Sequence, residues 1–257
     1  MSYLVICTVA LLASTLTFFS GFGLGTLLLP AFALFFPVGQ AVALTAVVHV
    51  LNGLFKLALT GRHADGRVVL RFGLPAIAMS LLGAGVLVWF DGIAPVLTWR
   101  LFDREVTVTP VKLVVGVLLL LFAALELHPR LHRLSFDPRY LPLGGLLSGF
   151  FGGLSGMQGA LRSAFLSRAG LGKEAFIASG VVIACLIDVA RLAVYSGTVV
   201  RESARFDHAL LAAAVLAAFA GALIGNRFLR KATMPGICRL VAAMLFLVAV
   251  GLIAGLL

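Results

Sequence analysis

Residues 141–167 read LPLGGLLSGFFGGLSGMQGALRSAFLS, and whether this stretch crosses a membrane or turns back inside it decides the fold. Apolar throughout, it has the length to span about 30 Å of hydrocarbon as a helix. It is interrupted, however, at Gly152-Gly153-Leu154-Ser155-Gly156 and again at Gly159. A second stretch behaves the same way. Residues 3–36 would cover about 51 Å as one helix at about 1.5 Å per residue. They break at Ser20-Gly21-Phe22-Gly23-Leu24-Gly25, with Pro30 and Pro37 following. Both stretches read as re-entrant or discontinuous helices. The apolar elements at 38–60, 69–90, 110–127, 174–199, 207–228 and 236–257 fit single crossings.

Loop charges choose between the topologies, because Lys and Arg collect on the cytoplasmic side. The loop 61–71 has three Arg and one Asp, and residues 128–139 have again three Arg and one Asp. Residues 91–112 hold three basic and three acidic groups, and 201–207 two of each. Arg227, Arg230, Lys231 and Arg239 stand in the last connection with no acid. A full crossing at 141–167 would put that last loop outside. A re-entrant element keeps it inside, together with the Arg168–Lys173 loop, and leaves 201–207 outside. Each half then holds one broken hairpin and three crossings, so the two halves face opposite ways. The reading is an all-α polytopic helical membrane protein of two inverted repeats. The first repeat spans 1–127 and the second 141–257, joined by a cytoplasmic linker at 128–140.

Composition agrees. Hydrophobic residues make up 61% of the 257 positions and charged residues 12%, with a mean hydropathy of +1.13. A soluble domain carries about twice that charge, and a strand barrel alternates polar and apolar residues and is far less hydrophobic. The net charge of +10 is explained by cytoplasmic loops, without nucleic acid. Cys7, Cys185 and Cys238 are widely separated, so neither a disulfide framework nor a metal site is indicated. The N-terminus lacks a basic region before its apolar run, which argues against a cleaved signal peptide. No HExxH, nucleophile elbow or P-loop occurs; the chain is not read as an enzyme, and no cofactor is expected.

Polar groups inside membrane segments are costly and therefore mark function. Arg162 follows the second break with no acid within four residues. Its forked, permanently charged guanidinium suits an oxyanion. Helix N-termini after the breaks would add amide donors, and glycine there permits close approach of a ligand to the backbone. Ser155, Gly156, Gln158 and Gly159 at this break, and Gly23, Gly25 and Thr26 at the first, are the accompanying candidates for substrate binding. Thr45, His49, Asn52 and Lys56 share one helical face, as do Cys185, Asp188, Arg191 and Tyr195. One common shift superposes Gly61 on Gly197, Asn52 on Asp188 and His49 on Cys185. The two seams are thus symmetry mates facing one cavity. His49 and Asn52 are candidates for substrate binding. Asp188, Arg191, His49, Lys56 and Tyr195 are candidates for coupling or gating. Asp188 and Arg191, at i and i+3, also fit a simple neutralising pair.

Both halves carry an FFxG start, Phe18-Phe19-Ser20-Gly21 and Phe150-Phe151-Gly152-Gly153, then a glycine break and a polar-spotted helix. The first half continues through Pro30, the Ala43–Thr45 run and a basic loop from Arg62 to Asp65. In this order, and over almost the whole chain, the sequence resembles the sulfite exporter TauE/SafE family, also called the toluene sulfonate uptake permease family. The resemblance implies a secondary transporter moving sulfite or an organosulfonate, such as sulfoacetate or toluenesulfonate, across the bacterial inner membrane. Members commonly carry a GxGGG-like run in the second half, where this chain has Gly153-Leu154-Ser155-Gly156-Met157-Gln158-Gly159. The expected partners are a small anionic substrate and the lipid bilayer, with a homodimer left open. An intramembrane sulfur-relay protein or enzyme using Cys185, His49 and Asp188, and a passive anion channel, are the alternatives.

Overall fold

A computed structural model describes residues 1–16, 24–101, 104–127, 135–202, 207–228 and 234–257. Every apolar element expected from the sequence is helical. The stretch 3–36 is divided into α1 (Ser2–Leu16) and α2 (Leu24–Ala33). Then follow α3 (Val38–Thr60), α4 (Gly66–Asp91) and α5 (Pro110–Leu127). The second half holds α6 (Leu141–Ser155), α7 (Gly159–Leu166), α8 (Lys173–Glu202), α9 (His208–Phe228) and α10 (Met234–Ile253). Among the described residues, four helices, α3, α4, α8 and α9, are long and apolar enough to cross a membrane, with shorter apolar helical segments beside them. The protein is an all-α polytopic membrane protein.

The stretch at 141–167 is broken where its glycines stand. Gly156 ends α6 with φ of 80°, a left-handed conformation that glycine adopts without steric penalty. Its N–H donates to the Gly152 carbonyl at 2.8 Å. At about 1.5 Å per residue, α6 reaches roughly 22 Å and α7 roughly 12 Å, short of a hydrocarbon core of about 30 Å. The two helices pack against one another, and α1 packs against α2 in the same manner. All ten residues of α2 are buried. The break at Ser20–Gly23 lies outside the described residues, as do 128–134 of the linker, 203–206, and Arg230 and Lys231 of the last basic loop.

The two most extensive helix pairings correspond between the halves. The most extensive contacts are α4 with α6 and α1 with α9, followed by α5 with α10, α4 with α8 and α3 with α8. Setting α1–α5 on α6–α10 exchanges the first two pairs with each other. It returns α5–α10 and α3–α8 to themselves.

Glycines bring α4 and α6 together. Gly145, Gly149 and Gly153, four residues apart, stand against the backbone of Phe72, Ala76 and Ser80, also four apart. A methyl group at any of the three would collide with the facing carbonyl. Gly83 meets the Phe150 carbonyl reciprocally, and Gly221 of α9 meets the Leu11 carbonyl of α1. Lipid tails are as apolar as leucine, so membrane helices associate through such close backbone packing and weak Cα–H···O contacts.

Two aspartates start corresponding helices. Asp65 accepts from the N–H groups of Arg67 and Val68, both at 2.9 Å, ahead of α4. Its own N–H donates to Ser179 Oγ of α8 at 2.9 Å. Asp207 accepts from the Leu210 N–H at 2.9 Å ahead of α9, and from the Tyr3 hydroxyl at 2.6 Å. The Tyr3 hydrogen bond, with the Leu210 N–H, holds the Asp207 carboxyl below the usual carboxylate range.

One segment departs from a purely helical reading. Leu97–Leu101 (β1) and Arg104–Val108 (β2) pair antiparallel, with Leu97 opposite Val108, inside the connection expected to be a plain loop. Val106 and Val108 are buried. The alternation of valine and threonine along β2 carried this signal. Lys112 Nζ donates to the Thr107 carbonyl at 2.8 Å, tying the hairpin to α5.

Gly149→Leu is expected to force α6 off the Ala76 backbone and cost about 1–3 kcal/mol or more, read as a fall in Tm in detergent. Gly85→Leu on the same α4–α6 unit is the control, because nothing lies within 4 Å of Gly85. The stabilisation from Asp207 is present above its unfolded-state pKa and fades as pH falls through its depressed native value. Tyr3→Phe should move that acid loss to higher pH in a Tm-against-pH series.

Candidate functional site

The two polar seams meet where α3 crosses α8. On α3, Thr45, Asn52 and Lys56 are buried; on α8, Cys185, Asp188, Arg191 and Tyr195 are buried. His49 Nδ1 makes a short contact with Asp188 Oδ2, joining the two halves of the chain. The Asp188 side chain is fully buried, whereas His49 retains 15% exposure. Beside this contact, a Cβ on Gly53 would stand 2.7 Å from Cys185 Sγ, so α3 lies against α8 at close range.

The second break brings Gln158 to the same carboxylate. Gln158 Nε2 donates to Asp188 Oδ1 at 3.2 Å. Its Oε1 accepts from Arg162 Nη1 at 2.9 Å. Gln158 thereby links the guanidinium of α7 to the carboxylate of α8. The Ser148 hydroxyl fixes the break by donating to the Gln158 carbonyl at 2.9 Å. Arg191 Nε donates to Asp188 Oδ1 at 3.0 Å, and Nη2 lies 2.9 Å from the same oxygen. That Nη2 approach is an ion-pair contact without hydrogen-bond alignment. Neither Nη1 nor Nη2 of Arg191 has a hydrogen-bond partner among the described residues.

The turn at Gly156 is where these groups converge. A Cβ there would stand 2.6 Å from Arg191 Nη1, so only glycine lets the guanidinium reach the turn. The first half contributes from the other side. A Cβ on Gly25 would meet the Gly156 carbonyl at 3.2 Å and His49 Nε2 at 3.9 Å. The start of α2 therefore faces both the second break and His49. Gly159 opens α7 at the break and is buried, and Thr26 is buried one residue beyond Gly25. Lys56 lies within electrostatic reach of Arg162 and Cys185, and Arg162 within reach of Asp188.

Other candidates serve elsewhere. The Ser155 hydroxyl donates to Phe151 of its own helix at 3.0 Å. Asn52 Oδ1 accepts from the Ser14 hydroxyl of α1 at 3.2 Å. Tyr195 donates to the Gly153 carbonyl, holding α8 against α6. Gly23 lies outside the described residues. Sequence reasoning places His49 and Asp188 on facing seams but misses their direct pairing, and it misses the link from Arg162 through Gln158. It also misses the stripe of Gly145, Gly149 and Gly153, although that four-residue spacing of small residues was legible.

Charge balance defines the chemistry. The buried charged side chains among the described residues are Lys56, Arg162, Arg191 and Asp188, three cations and one carboxylate. Removing charges from water costs several kcal/mol per ion unless partners compensate. No group of three or more His, Cys, Asp or Glu able to hold a metal occurs among the described residues. Residues 6–252 match the family described as sulfite exporter TauE/SafE. The chain belongs to the sulfite exporter TauE/SafE family. No curated protein and no solved structure matches it. TauE/SafE proteins are membrane transporters, and the multi-pass helical fold agrees with that membership.

Asp188→Ala should destabilise the protein by roughly 3–5 kcal/mol, because it leaves the buried Arg191 guanidinium uncompensated. Arg191→Met in the same chain should recover most of that loss. Thermal unfolding of both single variants and the double variant measures the coupling.

Proposed function

We propose that this TauE/SafE protein is a secondary transporter carrying a sulfur oxyanion, sulfite or an organosulfonate such as sulfoacetate or toluenesulfonate, across the bacterial inner membrane. The observation that carries the site is the Arg191 guanidinium, fully buried, with both Nη atoms lacking hydrogen-bond partners among the described residues. The anion sits at the Gly156 turn, between the α6–α7 break and the start of α2. Arg191 and Arg162 supply charge-assisted donors. The first amides of α7 add the positive end of a helix dipole. Gly25, Gly156 and Gly159 leave the backbone bare enough for an oxygen to approach.

The two halves face opposite ways in this reading, with the loops at 61–71, 128–139 and 227–239 cytoplasmic. The exchange of α4–α6 with α1–α9 under superposition of the halves supports it. A site at the meeting of two such halves is reached from either side as one half rocks against the other. Transport is favoured over sulfur-relay chemistry because Cys185 is only 6% exposed and lies against the α3 backbone at Gly53.

Sulfite or a sulfonate should raise the Tm of the purified protein, by about 2.7 kcal/mol of added stability at a hundred times Kd. Sulfate and simple carboxylates serve as comparisons in the same thermal-shift series. Arg162→Ala should weaken binding at least about tenfold, since one charge-assisted hydrogen bond is worth roughly 1.5–3 kcal/mol. Full binding by that variant sinks the site, and uphill uptake in sealed vesicles separates a transporter from a passive channel.

A further inference from the structure

The Asp188 carboxylate occupies the donors that an incoming anion needs. It takes the hydrogen bonds of Gln158 Nε2 at 3.2 Å and Arg191 Nε at 3.0 Å, and stands in ion-pair contact with Arg191 Nη2 at 2.9 Å. Through Gln158 it also engages Arg162, whose Nη1 donates to Gln158 Oε1 at 2.9 Å. One carboxylate thus holds the donors that a substrate oxyanion would use. The two cannot both hold the same guanidinium edge and amide without placing like charges side by side.

We propose that Asp188 is a built-in substitute anion that protonation removes, so that one proton and one oxyanion are taken up together. This rests on the anion site proposed above. The geometry supplies the proton route. His49 Nδ1 contacts Asp188 Oδ2, while the opposite edge of the ring, Nε2, faces the start of α2 at Gly25. His49 is the partly exposed member of the pair and Asp188 the enclosed one.

A proton from water binds His49 Nε2, and the proton on Nδ1 passes to Asp188 Oδ2. The imidazole ends neutral as the other tautomer, and Asp188 ends as a neutral carboxylic acid. The site has gained one positive charge, which a monoanion cancels. Arg191 and the Gln158–Arg162 pair are then released from the carboxylate and turn to the substrate.

The groups around the pair set the direction of the pH dependence. From α3 come His49 and Lys56, from the break Gln158, from α7 Arg162, and from α8 Arg191, Cys185 and Tyr195. Asp188 is the sole acid among these groups, so a proton taken up there removes the one negative charge they face. Oxyanion affinity therefore falls as pH rises, by up to about tenfold per pH unit for one coupled proton.

The test is calorimetric titration of sulfite into the full-length protein in detergent, in two buffers of different ionisation enthalpy, with wild type and Asp188→Asn compared at each pH. Taking the difference between the proteins cancels the proton chemistry of sulfite itself. Wild type should take up about one proton more per sulfite than Asp188→Asn, and the variant's affinity should lose the wild-type pH slope. Equal proton uptake by the two proteins, with sulfite still bound, overturns the coupling while leaving the anion site intact. Absence of binding by the wild type to sulfite and to toluenesulfonate overturns the anion site, and the coupling with it. Should Asp188→Asn fail to fold, His49→Gln carries the same comparison. It keeps a hydrogen-bond donor toward Asp188 but has no second ring nitrogen to receive the proton.

Discussion

A carboxylate shut away from water organises the middle of this protein. Asp188 receives His49 from α3, Gln158 from the α6–α7 break and Arg191 from its own helix. An ionised group at that depth is tolerated only with such partners, because no solvent replaces a missing one. The partners come from both halves of the chain, so Asp188 reads out whether the halves are correctly joined. Each partner is anchored in turn. The Gln158 carbonyl is held by Ser148, and Tyr195 ties α8 to the carbonyl of Gly153.

That arrangement depends on backbone approach distances that only glycine allows. Gly145, Gly149 and Gly153 let α6 settle on α4, and Ser80 of α4 then donates to the Ile187 carbonyl beside Asp188 at 2.9 Å. Gly53 and Gly156 do the same at the α3–α8 crossing and at the turn. The glycines therefore place the charges on which the proposed anion site rests. A larger side chain at these positions changes the distance between halves before it changes any chemistry.

Helices and their limits were legible at nearly every position. Residues 38–60 and 110–127 coincide with α3 and α5, because a long apolar run bounded by Pro, Gly or charge has one stable form in lipid. The β1–β2 hairpin escaped notice, since a short connection between two long apolar helices gives period-2 alternation little length in which to register. Among site residues, the seams on α3 and α8 followed from spacing alone. The employment of Ser155 by Phe151, and of Asn52 by Ser14, did not. A side chain's partner depends on which neighbouring helix arrives, and spacing along one helix carries no such information.

By itself the sequence determined that the chain lives in a membrane, that two of its elements are broken at glycines, and that Arg162, Asp188 and Arg191 must be accommodated there. The reason is local: hydropathy, glycine content and charge act on each segment within its own few turns. Tertiary structure alone decided that the break at Gly156 meets Gly25 and Arg191, and that Asp188 is shared among three elements. Two of those contacts, Gly25 with Gly156 and His49 with Asp188, join residues more than a hundred positions apart. They form only where α3 and α8 cross at a separation set by glycine.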